Sequence, residues 1–351
     1  MPRQLIRALL ATALAAALAA CAAPPTGQDP APAWLLVSDY GDGVVQVLTT
    51  EDDLDDLARE TPLAIAGSGP CGVAVGPGNR LYVADYDGGE IVVFGLATAL
   101  GGGAPTPVAT LTSPSLSGPC GLAFDADGTL WVGDYSNAHV LGFRGVGTLT
   151  GTQDLVADAV LTVGGGGGVL PWVEVIEILI DGAGRLWVAD LFEWTITRID
   201  DVRTLEGDHT GRVPNAQIVY TDAGAPPVGG DYTIADPFSV AVDAAGNLYV
   251  GNDFEGYVSR FDGAAGLNGV VTPQPSAYLV AAGIDFPYLV ALDADGALWV
   301  GNEDTVARLL SPQSGSGVRE LTPTTTVTYS LGGFNDGGGM TFVPTPPGLG
   351  F

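Results

Sequence analysis

GPCGLAFDADGTLWVGDYSNAHVLGF, residues 118–143, is the stretch whose reading decides the fold. It holds a short apolar run, a DADG turn, the phrase LWVGD, a second turn and a further apolar run. The central phrase recurs as LYVAD at 81–85, LWVGD at 130–134, LWVAD at 186–190, LYVGN at 248–252 and LWVGN at 298–302. A degenerate copy, LLVSD, stands at 35–39. Counted between Asp39, Asp85, Asp134, Asp190, Asn252 and Asn302, the steps are 46, 49, 56, 62 and 50 residues. Self-similarity at such a period marks one supersecondary unit laid beside the next.

Each unit opens on a short apolar strand, at 73–75, 122–125, 178–181, 240–243 and 290–293. The turns that follow are GPGN, DADG, DGAG, DAAG and DADG, where Gly and Asp/Asn supply unusual backbone angles. The LWVAD strand comes next, then a third strand such as 91–94, 140–143, 196–199 or 258–261. A Gly/Pro-rich stretch leads to a more variable fourth strand, for example 108–111, 218–220 or 277–280. Four short antiparallel strands per unit, with no convincing helix, predict an all-β fold of β-propeller type. The length variation falls after the third strand, where insertions are expected to disturb packing least. The copy at Trp34 lacks its opening strand, and residues 338–343 supply one with nothing after it. Joined, they predict a six-bladed β-propeller over 34–343 with a split closing blade, which removes exposed sheet edges.

The ends and the charge bound the cellular context. Arg3 and Arg7 precede an Ala/Leu-rich run at 8–20, too short for a membrane span of ~20 apolar residues. Residues 1–20 therefore read as a signal peptide. The run ends in Leu18-Ala19-Ala20-Cys21, which resembles the lipobox of bacterial lipoproteins. That resemblance implies a lipid on Cys21; the alternative is ordinary cleavage at an A-x-A-like site. Residues 21–33 read as a lipidated tether and 344–351 as a Pro/Gly tail. The expected location is outside the cytoplasm, anchored in the bacterial cell envelope through the lipid alone.

The chain has no lysine, which excludes Schiff-base catalysis by a lysine side chain. Past residue 20 it carries ten arginines against forty acids, a formal charge of −30. Nucleic acid and anionic lipid headgroups need a basic footprint, so neither is an expected partner. Charged residues make up only 15 % and the mean hydropathy is +0.30, which fits a packed globular chain better than an acidic disordered one.

The unit resembles the NHL family through P-x-G-[VL]-A-[VF]-x-x-x-G-x-L-[YW]-V-[AG]-[DN] followed by a V-x-x-F strand, over nearly all of 34–343. The unit from Trp172 departs most, lacking the Pro-x-Gly. Members of that family include protein- and RNA-binding scaffolds, lactonases and lyases, so the resemblance implies architecture and leaves activity open.

Strand direction puts the segment before each first strand and the turn after each LWVAD at one end of the blade. That mouth should be lined by Cys71, Cys120, Ile176, Phe238, Tyr288 and Gly338. Gluconolactonase- and regucalcin-like propellers hold a divalent cation with oxygen ligands at those pre-strand positions, which Ca²⁺ needs and this ring lacks. Asp39, Asp85 and Asp134, like their equivalents, read as turn-capping residues. Asp190, Glu193, Asn252, Asp253, Glu255, Asn302, Glu303 and Asp304 share a rim in blades three to five, open to two readings: a solvated acidic edge or a cation site, Ca²⁺ being the candidate. Cys71 and Cys120 occupy equivalent positions in adjacent blades, and either a disulfide or two buried thiols would suit them. His139 and His209 share no motif, the first being expected on an exposed turn and the second in a polar insertion at 201–213. The reading that follows is a monomeric binding or scaffold module offering its mouth to a protein or small-molecule ligand. The alternative is a lactonase- or lyase-like enzyme with a divalent cation on the acidic rim.

Overall fold

The computed structural model describes residues 34–50, 57–65, 69–164, 167–219, 236–252, 256–302, 305–328 and 339–343. Cys21, the signal and tether segments and the tail lie outside them. Six sheets, each built on antiparallel strands, stand in a ring as a six-bladed β-propeller. Blade one runs Pro70–Gly76, Arg80–Asp85, Glu90–Gly95 and Ala109–Thr112, from the axis outward. Blade two starts on Pro119–Phe124, blade three on Val175–Ile180, blade four on Pro237–Val242 and blade five on Leu289–Leu292. Blade six is the split one: Met340–Val343 pairs antiparallel with Trp34–Asp39, Trp34 facing Val343. Ser38 fastens the closure, donating to the Cys71 carbonyl at 2.8 Å and accepting from the Gly339 amide at 2.5 Å.

The D-x-x-G turns do more than reverse the chain. Asp125, Asp181 and Asp293 each accept two backbone amides within the turn. Each also accepts the indole N–H six residues on, from Trp131, Trp187 and Trp299 at 2.8–3.0 Å. Those indoles are fully buried between blades, and a buried indole N–H needs a partner. In blade four the same geometry joins Asp243 to the Tyr249 hydroxyl at 3.3 Å. Blade one has Gly76 in place of the aspartate, and the Phe124 ring of blade two packs edge-on against Tyr82 there, centroids 4.8 Å apart.

The stretch after each third strand is not spare length. In blades two to five it turns back and adds a fifth strand, in parallel, to the outer strand of the preceding blade. Gly151–Asp154 pairs with Ala109–Thr112, Gly207–Arg212 with Ala159–Val163, Gly269–Val271 with Ala216–Val219, and Gly317–Leu321 with Ala277–Ala281. Blade one repeats the device in miniature, Gly103 bridging Leu63 of blade six after a one-turn helix at Leu96–Ala99. The predicted polar insertion at 201–213 is thus one of these clasps, and three 3-10 turns precede them where no helix was expected.

Arginine side chains hold the clasps down. Arg80 donates to the Leu149 carbonyl, Arg144 to Leu205 and Arg198 to Ala265. Arg260 donates to both Pro312 and Gly315 at 2.6 Å. Each pair runs from one blade to the clasp of the next, so much of the scarce positive charge is spent between blades.

Candidate functional site

The Asp/Asn that closes each LWVAD strand builds the mouth. Asp134 accepts amides from Ser117 and Gly118 before its blade's inner strand and from Asn137 in the following turn. Asp190 does the same with Val173, Glu174 and Glu193, and Asn302 with Phe286. Asp85 holds the Gly88 amide and Asp39 that of Asp42. One buried side chain thereby ties together the two loops its blade contributes to that end. Although burial pushes it up, Asp134 is held below the usual carboxylate range by His139 and the Ser117 and Gly118 amides. Burial wins at Asp190 and raises it, against its amide donors.

A β-bulge at the start of the inner strand turns one side chain of a blade toward the axis. The pairing skips Cys71 between Pro70 and Gly72, Ile176 between Val175 and Glu177, and Phe238 between Pro237 and Ser239. The register also shifts in blade two, around Cys120. Bulges re-aim side chains in this way. Cys71 and Cys120 form a disulfide with Cα atoms 4.7 Å apart. Gly72 makes that approach possible, since a Cβ there would lie 1.9 Å from the Cys120 carbonyl oxygen.

Above this ring the mouth opens into a cup of about 280 Å³. Tyr40, Tyr86 and Tyr135 wall it on the side of blades six, one and two. Their rings meet edge to face at 6.0 and 5.9 Å. Leu191 and Phe238 wall the opposite side, with Cys71, Cys120 and Ile176 beneath. Tyr288 packs edge-on against Phe238 at 5.7 Å. On the rim of blade three Phe192 is 61 % and Trp194 39 % exposed. Trp194 sits at φ +52°, where Gly43 and Gly89 stand in blades six and one. No carboxylate, imidazole or cation lines the cup among the described residues.

Below the ring is a second, axial cavity of about 100 Å³, which shares Cys71, Cys120 and Ile176 with the cup. Its lining is apolar, Phe124 and Met340 included, except for Glu177 and Thr341. Glu177 borders the cavity, hence its partial accessibility, yet its carboxyl group is enclosed by protein. It accepts the Val240 amide at 3.3 Å and lies beside the Ser239 hydroxyl. Burial pushes the carboxyl up to about 8, with Ser239 and Val240 only partly opposing.

The acidic rim of blades three to five separates on inspection. Asp190, Asn252 and Asn302 are buried, and the oxygens of Asp190 and Asn302 are engaged by backbone amides. Asn252 turns its amide nitrogen inward to Val250, Tyr257 and Ser259, leaving its Oδ1 without a donor among the described residues. Glu193 is half-buried, while Asp253, Glu255, Glu303 and Asp304 lie outside the described residues. Among those described, no three His, Cys, Asp or Glu side chains gather as metal ligands. His139 is not on an exposed turn: its side chain is 13 % exposed, 3.7 Å from Asp134 and 3.0 Å from the Ser115 carbonyl. His209 lies in the clasp Gly207–Arg212, bonded to the Glu206 carbonyl.

Two features of the site escaped the sequence reading though their signals are present. The dipeptide Asp-Tyr closes the phrase in three successive blades, at 39–40, 85–86 and 134–135. Glu177 stands where Gly72 and Gly121 stand in blades one and two.

No protein-family model and no curated protein sequence matches the chain. Solved structures do resemble it. A chain in the crystal structure of a nidogen/laminin complex is 16 % identical with a TM-score of 0.54, over 88 % of this chain and 98 % of that one. A putative 6-phosphogluconolactonase from Bacteroides fragilis is 17 % identical with a TM-score of 0.54, over 88 % and 85 %. A protein from Lactobacillus plantarum is 17 % identical with a TM-score of 0.55, over 88 % and 84 %. At these identities the likeness speaks for the fold alone.

Proposed function

We propose that this six-bladed propeller is a monomeric binding module of the bacterial cell envelope. In this reading it is exported, anchored by a lipid on Cys21, and offers its mouth to a protein or small-molecule ligand. Similar folds occur in a laminin complex and in a putative lactonase, so the fold does not choose between binding and catalysis. The observation that carries the reading is the cup itself. Its walls are aromatic and aliphatic, and among the described residues no two acid–base groups converge in it, which hydrolysis by a positioned acid and base would require. Exposed aromatic residues such as Phe192 and Trp194 are the type that anchors interfaces. The Cys71–Cys120 disulfide accords with an oxidising compartment, and the signal-like run ending at Cys21 with export.

Affinity capture with the full lipidated chain tests the proposal, with Trp194→Gly and Tyr135→Ala as controls. Trp194→Gly removes the ring at a position whose backbone glycine adopts readily, so its stability should stay within about 1 kcal/mol of the parent. The expected outcome is a partner that both variants lose at unchanged melting temperature. A partner retained by both, or hydrolysis of a lactone by the parent, would overturn the reading. Cys21→Ala should shift the protein from the membrane to the soluble fraction.

A further inference from the structure

We infer that the mouth admits a slender alkylammonium group, its chain passing the tyrosines and its charged head reaching the carboxyl group of Glu177. The inference rests on the mouth-binding reading and names the ligand chemistry.

Three observations converge on it. First, among the described residues Glu177 is the one acidic or basic side chain on the wall of the axial cavity. The inner strands of blades one, two and six carry Gly72, Gly121 and Gly339 at the same place. The strands packed on Val175–Ile180 are Pro119–Phe124, Leu130–Asp134, Leu186–Asp190 and Pro237–Val242. The charged groups they bring are Asp134 and Asp190, both acidic, both at the mouth end and both held by backbone amides. Nothing cationic faces Glu177 from these elements, and an enclosed carboxylate without a counter-charge is unfavourable. Second, Cys71, Cys120 and Ile176 wall both cavities, so the cup and the axial space adjoin. Third, the cup presents tyrosine rings, whose faces attract cations, and has no cation of its own among the described residues. The guanidinium groups of Arg80, Arg144, Arg198 and Arg260 point to the clasps instead. The chain's formal charge of −28 favours the approach of a positive ligand, most strongly at low ionic strength. An axial space of about 100 Å³ has room for an ammonium head with a few methylenes.

Binding has a balanced proton step. The Glu177 carboxylic acid gives its proton to solvent, and the carboxylate that remains pairs with R–NH₃⁺. No covalent bond to the ligand forms or breaks.

Calorimetric titration of the full chain with n-butylammonium chloride at pH 7, in two buffers of different ionisation enthalpy, tests this. Saturable binding with release of close to one proton per site is expected. Glu177→Gln should abolish the release and weaken binding by about tenfold or more. Glu177→Gly, the residue native to blades one and two, serves as the second variant should the amide perturb folding. Tyr86→Ala should weaken binding while keeping the release. Tetramethylammonium should release no proton. The blocked tripeptide N-acetyl-Gly-Lys-Gly-amide separates the sources: binding as tight as butylammonium assigns a lysine side chain, and binding of butylammonium alone assigns a free amine. Absence of saturable butylammonium binding, or unchanged affinity in Glu177→Gln, would overturn the inference. A partner captured through Trp194 despite that failure would leave the mouth-binding reading standing.

Discussion

The carboxylate of Asp293 is shared by two turn amides, the Trp299 indole and the Arg308 guanidinium, all at 2.8–3.0 Å. Asp293 is 5 % exposed and Arg308 6 %, so removing the acid leaves the indole N–H without its acceptor and takes the shorter ion pair from a buried guanidinium, which keeps Asp295 at 3.4 Å. Breaking a buried pair from one side costs about 3–5 kcal/mol. Asp293→Ala should therefore lose that much in urea unfolding, and Asp125→Ala, which has no arginine partner, noticeably less. The sequence reading correctly saw these aspartates as turn residues. It missed the i, i+6 link to the aromatic ring, because turn chemistry is local and the indole comes into reach only once the hairpin closes. Glu177 was passed over for a related reason: nothing next to it in the chain marks it as acidic and enclosed.

At the scale of elements, the connection after each third strand is the instructive part. The phrases FRGVGTLTG at 143–151, IDDVRTLEG at 199–207 and FDGAAGLNG at 261–269 align with one another. Gly151, Gly207 and Gly269 all take positive φ, between 65° and 79°, where each clasp strand begins. Their amides donate to carbonyls of the previous blade at 2.7–2.9 Å. This second repeat was legible, yet variable spacing disguised it as tolerated insertion. A parallel partner separated by forty or more residues leaves no local trace in an alternation pattern. Arg260 fixes the last of these clasps. Arg260→Met should cost about 2–4 kcal/mol of unfolding free energy, since two clasp carbonyls and Asp262 lose a buried donor. It should also raise amide exchange in Gly317–Leu321 above that of the other clasps. Arg260→Lys should recover little, because a single ammonium does not span the carbonyls of Pro312 and Gly315 as the guanidinium fork does.

Over the whole molecule, the closed ring creates an interior that no single blade possesses. Glu177 reports on it through pH. Its carboxyl rises from 4.5 to about 8 on folding, so the native state binds a proton that the unfolded chain has released. The stability this provides is complete below pH 4.5, declines as pH rises, and is gone above 8. Comparing the parent with Glu177→Gln isolates the effect from the other acids. The difference in unfolding free energy should fall by about 3 kcal/mol between pH 4.5 and 7 and level off beyond 8. A pH-independent difference would place the carboxyl in contact with bulk water.

The chain by itself determined the blade, the number of blades and the split closure. These rest on a period-two pattern and turn residues repeated at nearly constant spacing, which are local properties copied six times. It also placed Cys71, Cys120, Ile176 and Phe238 at one end of the axis, since strand direction follows from counting turns. Only the tertiary structure decided that bulges aim those residues inward, that Tyr40, Tyr86 and Tyr135 meet as a wall, and that Glu177 is enclosed without a cation. Each of these depends on residues from different blades coming within a few ångströms. That proximity comes from closing the ring, so a repeat read one unit at a time does not contain it.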